Sequence, residues 1–178
     1  APPRTACPRP ATALALPLFA PRDFCTWADL GRAAERIGAA RAEFFASVPS
    51  ALHRLPEADR GIVLRLARTA AEGAPAVGLE LYFALPTALA AFPDERATIV
   101  TSLAPVAAST PVALADLLPV LRALLEETPT ALRPHLVALA AALAARFPAG
   151  VVPFYRVLPR LLERTGIAGI ERWVGEGL

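Results

Sequence analysis

The stretch 57–66, EADRGIVLRL, contains a pair of residues, Ile62-Val63, that sets the period of the whole chain. Bulky apolar pairs recur every 37 residues after it, at Ile99-Val100, Leu136-Val137 and Trp173-Val174. A second series of markers keeps a similar mean spacing and consists of Pro49, Pro86, Pro119 and Pro159. Self-similarity at a period of about 20–50 residues is typical of stacked structural repeats.

Each marker proline follows an aromatic or leucine pair and precedes an apolar step, as in Tyr82-Phe83 before Pro86 and Ala88-Leu89 after it. Proline inside a helix removes one backbone hydrogen bond, so we expect each marker to kink or split its helix. A kink at this place would let the bulky side chains before it reach the core. We therefore expect Phe45 and Phe83 to be core residues.

The composition favours helices. The chain has 178 residues, of which 55% are hydrophobic, and it is rich in Ala and Leu, which are strong helix formers. We predict an all-α fold, a right-handed α-solenoid of about four and a half HEAT-like helical hairpins with a period of about 37 residues. Residues 1–22 contain six prolines and are predicted to be an extended tail, followed by a helical repeat domain over 23–178.

Proline and glycine punctuation predicts the helices of each hairpin. The first helices are expected at 23–37, 57–72, 94–108, 129–147 and from 167 onward, and the second helices at 39–54, 74–92, 111–127 and 150–164. The prediction contains five first helices but four second helices, so the last hairpin is incomplete. We therefore expect the repeat domain to be truncated and the natural protein to continue beyond Leu178. The chain has no Met, so we do not expect it to start at an initiator residue. Part of the tail is expected to lie on the first hairpin through Leu14, Leu16, Leu18 and Phe19.

The charges are unevenly distributed. All 18 basic residues are Arg; residues 1–68 carry 10 Arg against 6 acids, 69–131 carry 2 against 7, and 132–178 carry 6 against 3. An acidic middle is not the continuous basic surface that nucleic acid requires, so we expect no nucleic-acid partner. A local patch at Arg156, Arg160 and Arg164 is a candidate partner-binding site. Residues 97–121 hold one charge, but three prolines interrupt them, so we expect two buried helix faces and no membrane association.

No residue pattern points to catalysis or to a bound metal. The two cysteines, Cys7 and Cys25, lack metal-ligand spacing, and we expect a reduced, cytoplasmic protein. His53 and His135 are expected at the surface near helix ends. Phosphate-binding, hydrolase and zinc motifs are missing, and a chain without Lys has no Lys-based chemistry. We therefore expect a non-enzymatic protein with no catalytic residue, no metal site and no cofactor.

The two tryptophans share the pattern W-x-x-x-G, at Trp27–Gly31 and at Trp173–Gly177. One interpretation is packing, in which Trp fills the gap between hairpins and Gly lets two helices approach closely. The other is a partner-binding site, because Trp is enriched at the centres of protein interfaces. Trp27 and Trp173 therefore join the three arginines as candidate partner-binding residues.

These patterns resemble a bacterial family. The W-x-x-x-G motifs, Glu43–Pro49 (EFFASVP), Leu81–Pro86 (LYFALP) and Ile170–Leu178 (IERWVGEGL) are similar to the helical repeat region of large von Willebrand factor type A proteins of the nitric-oxide-reductase-activation and Rubisco-activation type. The resemblance covers 23–178. It implies an adaptor for a MoxR-type AAA+ ATPase that activates a target enzyme. The family's D-x-S-x-S motif is absent from this chain and would lie beyond Leu178.

We therefore expect a protein-interaction scaffold, the helical-repeat part of an adaptor that links an AAA+ ATPase to a target enzyme. Two alternatives remain open at this point. A HEAT-like nucleic-acid repair enzyme of the alkylpurine glycosylase type would need an arginine-lined concave face that also holds aromatic residues and a carboxylate. A membrane-associated helical module would need an exposed apolar face. The oligomeric state does not follow from the sequence.

Overall fold

A computed structural model describes residues 18–177, without the side chains at 167, 170, 171 and 173–177. The described residues form α-helices and short 3₁₀ helices, with no strand among them. The α-helices are α1 (Phe24–Arg36), α2 (Arg41–Ala46), α3 (Glu57–Gly73), α4 (Pro75–Ala91), α5 (Arg96–Ser109), α6 (Leu114–Glu127), α7 (Arg133–Arg146) and α8 (Val151–Gly177). The fold is all-α, as predicted, and most helices begin and end within a few residues of the expected bounds.

The 3₁₀ helices occur where the chain changes direction. They span Pro21–Asp23, Ser50–Arg54, Pro111–Ala113 and Pro148–Gly150. Pro49 lies between α2 and the second of them, so it splits the predicted helix 39–54 as expected. Pro86, Pro119 and Pro159 lie inside α4, α6 and α8. Gly166 interrupts α8 with a φ of +67°, which is the boundary predicted between 150–164 and the last helix.

The chain divides into two compact units, with the boundary between Ala90 and Ala91. In the first unit, α1 packs against α2 and α3. Its core is aromatic: Phe19, Trp27, Phe44 and Tyr82 are all at most 4% exposed. The Trp27 indole N–H donates to the Tyr82 hydroxyl at 3.2 Å, and burial, partly offset by this hydrogen bond, raises the pKa of the Tyr82 phenol.

The second unit has an aliphatic core. Helix α5 packs against α7, and α8 packs against both α6 and α7. The fully buried side chains include Ile99, Leu103 and Leu114. Tyr155 is also buried, and its hydroxyl shares a 2.7 Å hydrogen bond with Ser102. Burial raises the pKa of the Tyr155 phenol more than that hydrogen bond lowers it.

The segment before α1 is held by the first unit. Leu18 and Phe19 are 2% and 3% exposed, which confirms the expected contact of this segment with the first helices. Arg60 Nη1 donates to the Leu18 carbonyl oxygen at 2.9 Å. Leu14 and Leu16 lie outside the described residues.

Two expectations about side chains need correction. Phe44 and Tyr82 are the buried members of their aromatic pairs, whereas Phe83 is 40% exposed and Phe45 is half-buried. A helix turns about 100° per residue, so the rotation of α2 and α4 that buries Phe44 and Tyr82 turns Phe45 and Phe83 toward the edge of the core. Cys25 is disulfide-bonded, which contradicts the expected reduced state. Cys7, the only other cysteine of the chain, lies outside the described residues.

Candidate functional site

Trp27 is a packing residue. Its side chain is 3% exposed, so it offers no surface to a partner, and it leaves the set of candidate binding residues. Its ring lies 4.6 Å from that of Phe45, centroid to centroid. A Cβ at Gly31 would come within 2.5 Å of the Phe45 ring, so glycine lets this ring lie against α1. These contacts agree with the packing interpretation of W-x-x-x-G at Trp27, while the Trp173 side chain lies outside the described residues.

The three candidate arginines lie on one exposed face of α8. Arg156, Arg160 and Arg164 follow one another at intervals of four residues and are exposed, so they share a face of the helix. Arg156 donates to the backbone carbonyl oxygen of Asp116 in α6, which ties its guanidinium to the protein. Arg160 and Arg164 form no ion pair with any described residue. The three arginines form an accessible positive surface. Exposed Glu163 lies between Arg160 and Arg164 in the sequence.

A second charged surface lies between α1 and α3, where the sequence analysis placed no site. An open cleft of about 320 Å³, here named the α1–α3 groove, lies in the first unit. Its lining consists of five charged residues and two alanines: Asp29, Arg32, Ala33, Arg36, Arg68, Ala71 and Glu72. Three guanidinium groups and two carboxylates give the groove a formal charge of +1.

Helix periodicity positions these charges. On α1, residues 29, 32 and 36 are separated by three and four positions, and on α3, residues 68 and 72 are separated by four. Such spacings place side chains on one face of a helix. Because α1 packs against α3, the two charged faces meet along one edge of their contact. The spacing was readable in the sequence, but the pairing of these two helices was not.

The ion pairs of the groove are unequal. Arg32 pairs closely with Asp29 on the same helix. Arg68 lies 3.8 Å from Asp29 and 3.9 Å from Glu72, which is longer than the 2.7–2.9 Å typical of charge-assisted hydrogen bonds. The Arg68 Nε atom is buried and has no hydrogen-bond partner among the described residues. Arg36 is exposed and forms no ion pair with any described residue. The groove therefore offers donors that the protein itself does not use.

The described residues 18–177 contain no cluster of three or more His, Cys, Asp or Glu side chains that could hold a metal ion. His53 and His135 are exposed, as expected. Within the same residues, no helix combines the length and the apolar character needed to cross a bilayer.

Comparison of the chain with family models, with curated proteins and with solved structures finds no match. The choice of a function therefore depends on the geometry described above and on the sequence resemblance.

Proposed function

We propose that this chain is a non-enzymatic protein-interaction scaffold built from HEAT-like helical hairpins. One observation carries the proposal: features of the first unit recur in the second at a spacing of 73 residues, about two periods. Stacked hairpins of this kind form extended surfaces for macromolecular partners.

The helix ends keep this spacing. Helix α1 ends at Arg36 and α5 ends at Ser109, while α3 ends at Gly73 and α7 ends at Arg146. The next helical segment begins at Pro75 in the first unit and at Pro148 in the second. Loop lengths vary freely in unrelated helical domains, so an identical offset at successive ends supports a repeated structural unit.

Buried side chains recur at the same spacing of 73 residues. Leu30 and Leu103 are fully buried at equivalent positions in α1 and α5, and Ala67 and Ala140 are fully buried in α3 and α7. The two tyrosines of the chain, Tyr82 and Tyr155, are also separated by 73 residues, and each hydrogen-bonds to the first helix of its own unit.

A polar contact recurs at the start of the third helix of each unit. Arg60 Nε donates to the Leu55 carbonyl oxygen at 2.8 Å, and Arg133 Nε donates to the Thr128 carbonyl oxygen at 3.2 Å. Each arginine therefore donates a hydrogen bond to the carbonyl oxygen of the residue five positions before it. Phe19 and Phe92 are buried at a further pair of equivalent positions.

We further propose that the scaffold is the helical-repeat part of an adaptor between a MoxR-type AAA+ ATPase and a target enzyme. The motifs Glu43–Pro49, Leu81–Pro86 and Ile170–Leu178 support this assignment through their resemblance to the von Willebrand factor type A adaptors. The resemblance to the adaptors places the scaffold in the cytoplasm together with the ATPase, whereas a disulfide at Cys25 is rare in that reducing compartment.

The reading frame of the parent gene tests the adaptor assignment. We expect a further helical hairpin after the codon for Leu178, then a von Willebrand A domain with the D-x-S-x-S motif, and an AAA+ ATPase gene nearby. A stop codon directly after Leu178, with no AAA+ gene in the neighbourhood, would contradict the adaptor assignment and leave a self-contained scaffold.

A further inference from the structure

The charges of the α1–α3 groove are not required by the fold. At positions 73 residues later, where α5 packs against α7, every charged groove residue is replaced by a small or uncharged one: Ser102, Pro105, Ser109, Ala141 and Ala145. The two groove alanines are replaced by Val106 and Ala144. An equivalent helix contact therefore forms in the second unit without any charge, and packing alone does not explain five charged residues in the first.

Internal pairing explains only part of the cluster, because Arg32 pairs closely with Asp29 but Arg68 has no such partner. Charges that serve stability are usually arranged at hydrogen-bonding distance, because an exposed ion pair contributes little otherwise. Here the Arg68 guanidinium lies beyond that distance from both carboxylates, and its buried Nε has no partner among the described residues. The Arg68 side chain, which is 43% exposed overall, therefore has N–H donors that neither carboxylate accepts at hydrogen-bonding distance.

We propose that the α1–α3 groove binds carboxylate side chains of an acidic segment in a protein partner. The Arg68 and Arg36 guanidinium groups are the binding groups, since a planar guanidinium matches a carboxylate with two parallel N–H···O bonds. Asp29 and Glu72 compete with the ligand and hold the arginines in place while the groove is empty. That the carboxylates come from a protein partner rests on the proposed scaffold function.

Charge complementarity selects this occupant. The groove carries one excess positive charge, and its floor of Ala33 and Ala71 leaves room above the helices. Its volume is at the lower end of the range for ligand sites, about 300–1,000 Å³, which suits one or two acidic side chains. Its open mouth suits a segment that continues beyond the groove on both sides.

An acetylated and amidated hexaglutamate peptide with a fluorescein label provides the probe. Fluorescence anisotropy at low ionic strength measures its dissociation constant from the folded chain. We expect saturable binding that weakens at least about tenfold in Arg68→Gln and in Arg36→Gln, because each loses a charge-assisted hydrogen bond. We expect Glu72→Gln to bind about three- to tenfold more tightly, because it removes the competing carboxylate. A merely structural role of the cluster would not tighten binding.

Arg146→Gln and Arg122→Gln are the matched controls, because both residues are exposed helix arginines outside the groove. They should change the dissociation constant less than about twofold. Three results would overturn the proposal: no saturable binding of the peptide, equal losses in the groove and control variants, or tighter binding of free glutarate than of the peptide. The last would identify a small-anion site. None of them affects the reading-frame test, so the groove and the adaptor assignment can fail separately.

Discussion

Gly78 is the position where the packing of the first unit is most sensitive to one added atom. A Cβ at Gly78 in α4 would lie 2.4 Å from Ala71 Cβ, 2.6 Å from the Ala67 carbonyl oxygen and 2.7 Å from Ala71 Cα. These neighbours are backbone atoms or atoms fixed to the backbone of α3, so no side-chain rotation relieves the contact. Gly78→Ala therefore forces α3 and α4 apart by about 1 Å to restore ordinary van der Waals distance.

Two effects of opposite sign determine the magnitude. Alanine is a better helix former than glycine by about 1 kcal/mol, which favours the variant. Overpacking a well-packed contact costs about 1–3 kcal/mol, and a contact with rigid backbone lies at or above the upper end of that range. We expect Gly78→Ala to lower the free energy of unfolding by about 2 kcal/mol or more in spite of its higher helix propensity.

Urea unfolding followed by far-ultraviolet circular dichroism measures this change. An unchanged slope of the unfolding free energy against urea concentration would show that the variant exposes as much surface on unfolding as the parent. Gly169→Ala is the control, because among the described side chains an added Cβ there meets the exposed Thr165, with Thr165 Cβ at 3.2 Å. We expect the control to be neutral or stabilised by up to about 1 kcal/mol. If Gly78→Ala were as stable as Gly169→Ala, the inference that α3 and α4 are in rigid contact at Gly78 would be refuted.

Both tyrosines, Tyr82 and Tyr155, are buried with raised pKa values, so a spectroscopic titration of the native protein should show no tyrosinate near the usual pKa of about 10. Since the unfolded chain ionises there and the folded chain does not, stability is intact below about pH 10 and falls as the pH rises above it; a normal titration of either phenol in the folded protein would contradict this. Phe44→Ala should lower the free energy of unfolding by about 3–5 kcal/mol, and Phe83→Ala by much less, because only Phe44 is fully packed; equal losses in denaturant melts would refute the assignment. Gly38 ends α1 with a φ of +82°, so Gly38→Ala should cost about 1 kcal/mol in the same melts, and an unchanged midpoint would count against the left-handed cap.

Local signals in the sequence predicted the helices well. Pro56-Glu57 predicted the start of α3, since proline is tolerated at a helix start and acids favour it, and α3 begins at Glu57. The end of α1 also has a local cause, although the sequence analysis did not use it: the Gly38 N–H donates to the Glu35 carbonyl and the Ala39 N–H to the Ala34 carbonyl, a Schellman cap that favours glycine. Such signals work because the physical causes lie within one turn of the residues concerned.

Side-chain placement was less predictable. The sequence pairs Phe44-Phe45 and Tyr82-Phe83 do not indicate which member faces the core, because that depends on the rotation of the helix about its axis. The disulfide state of Cys25 was not indicated by the number or spacing of the two cysteines. The α1–α3 groove depends on which helices become neighbours, so its two charged faces, each visible in the sequence, could not be joined into one site.

Direct binding to the ATPase tests whether this chain is a protein-interaction scaffold. The chain, folded by circular dichroism, would be immobilised and titrated with the MoxR-type AAA+ ATPase of the source organism, in the presence of ADP or of a non-hydrolysable ATP analogue. We expect saturable binding with a dissociation constant in the micromolar range or tighter, about −8 kcal/mol or more favourable, and stronger binding in one nucleotide state. No saturable binding in either state, with neither the ATPase nor its target enzyme recovered by cross-linking in the source cells, would contradict the account.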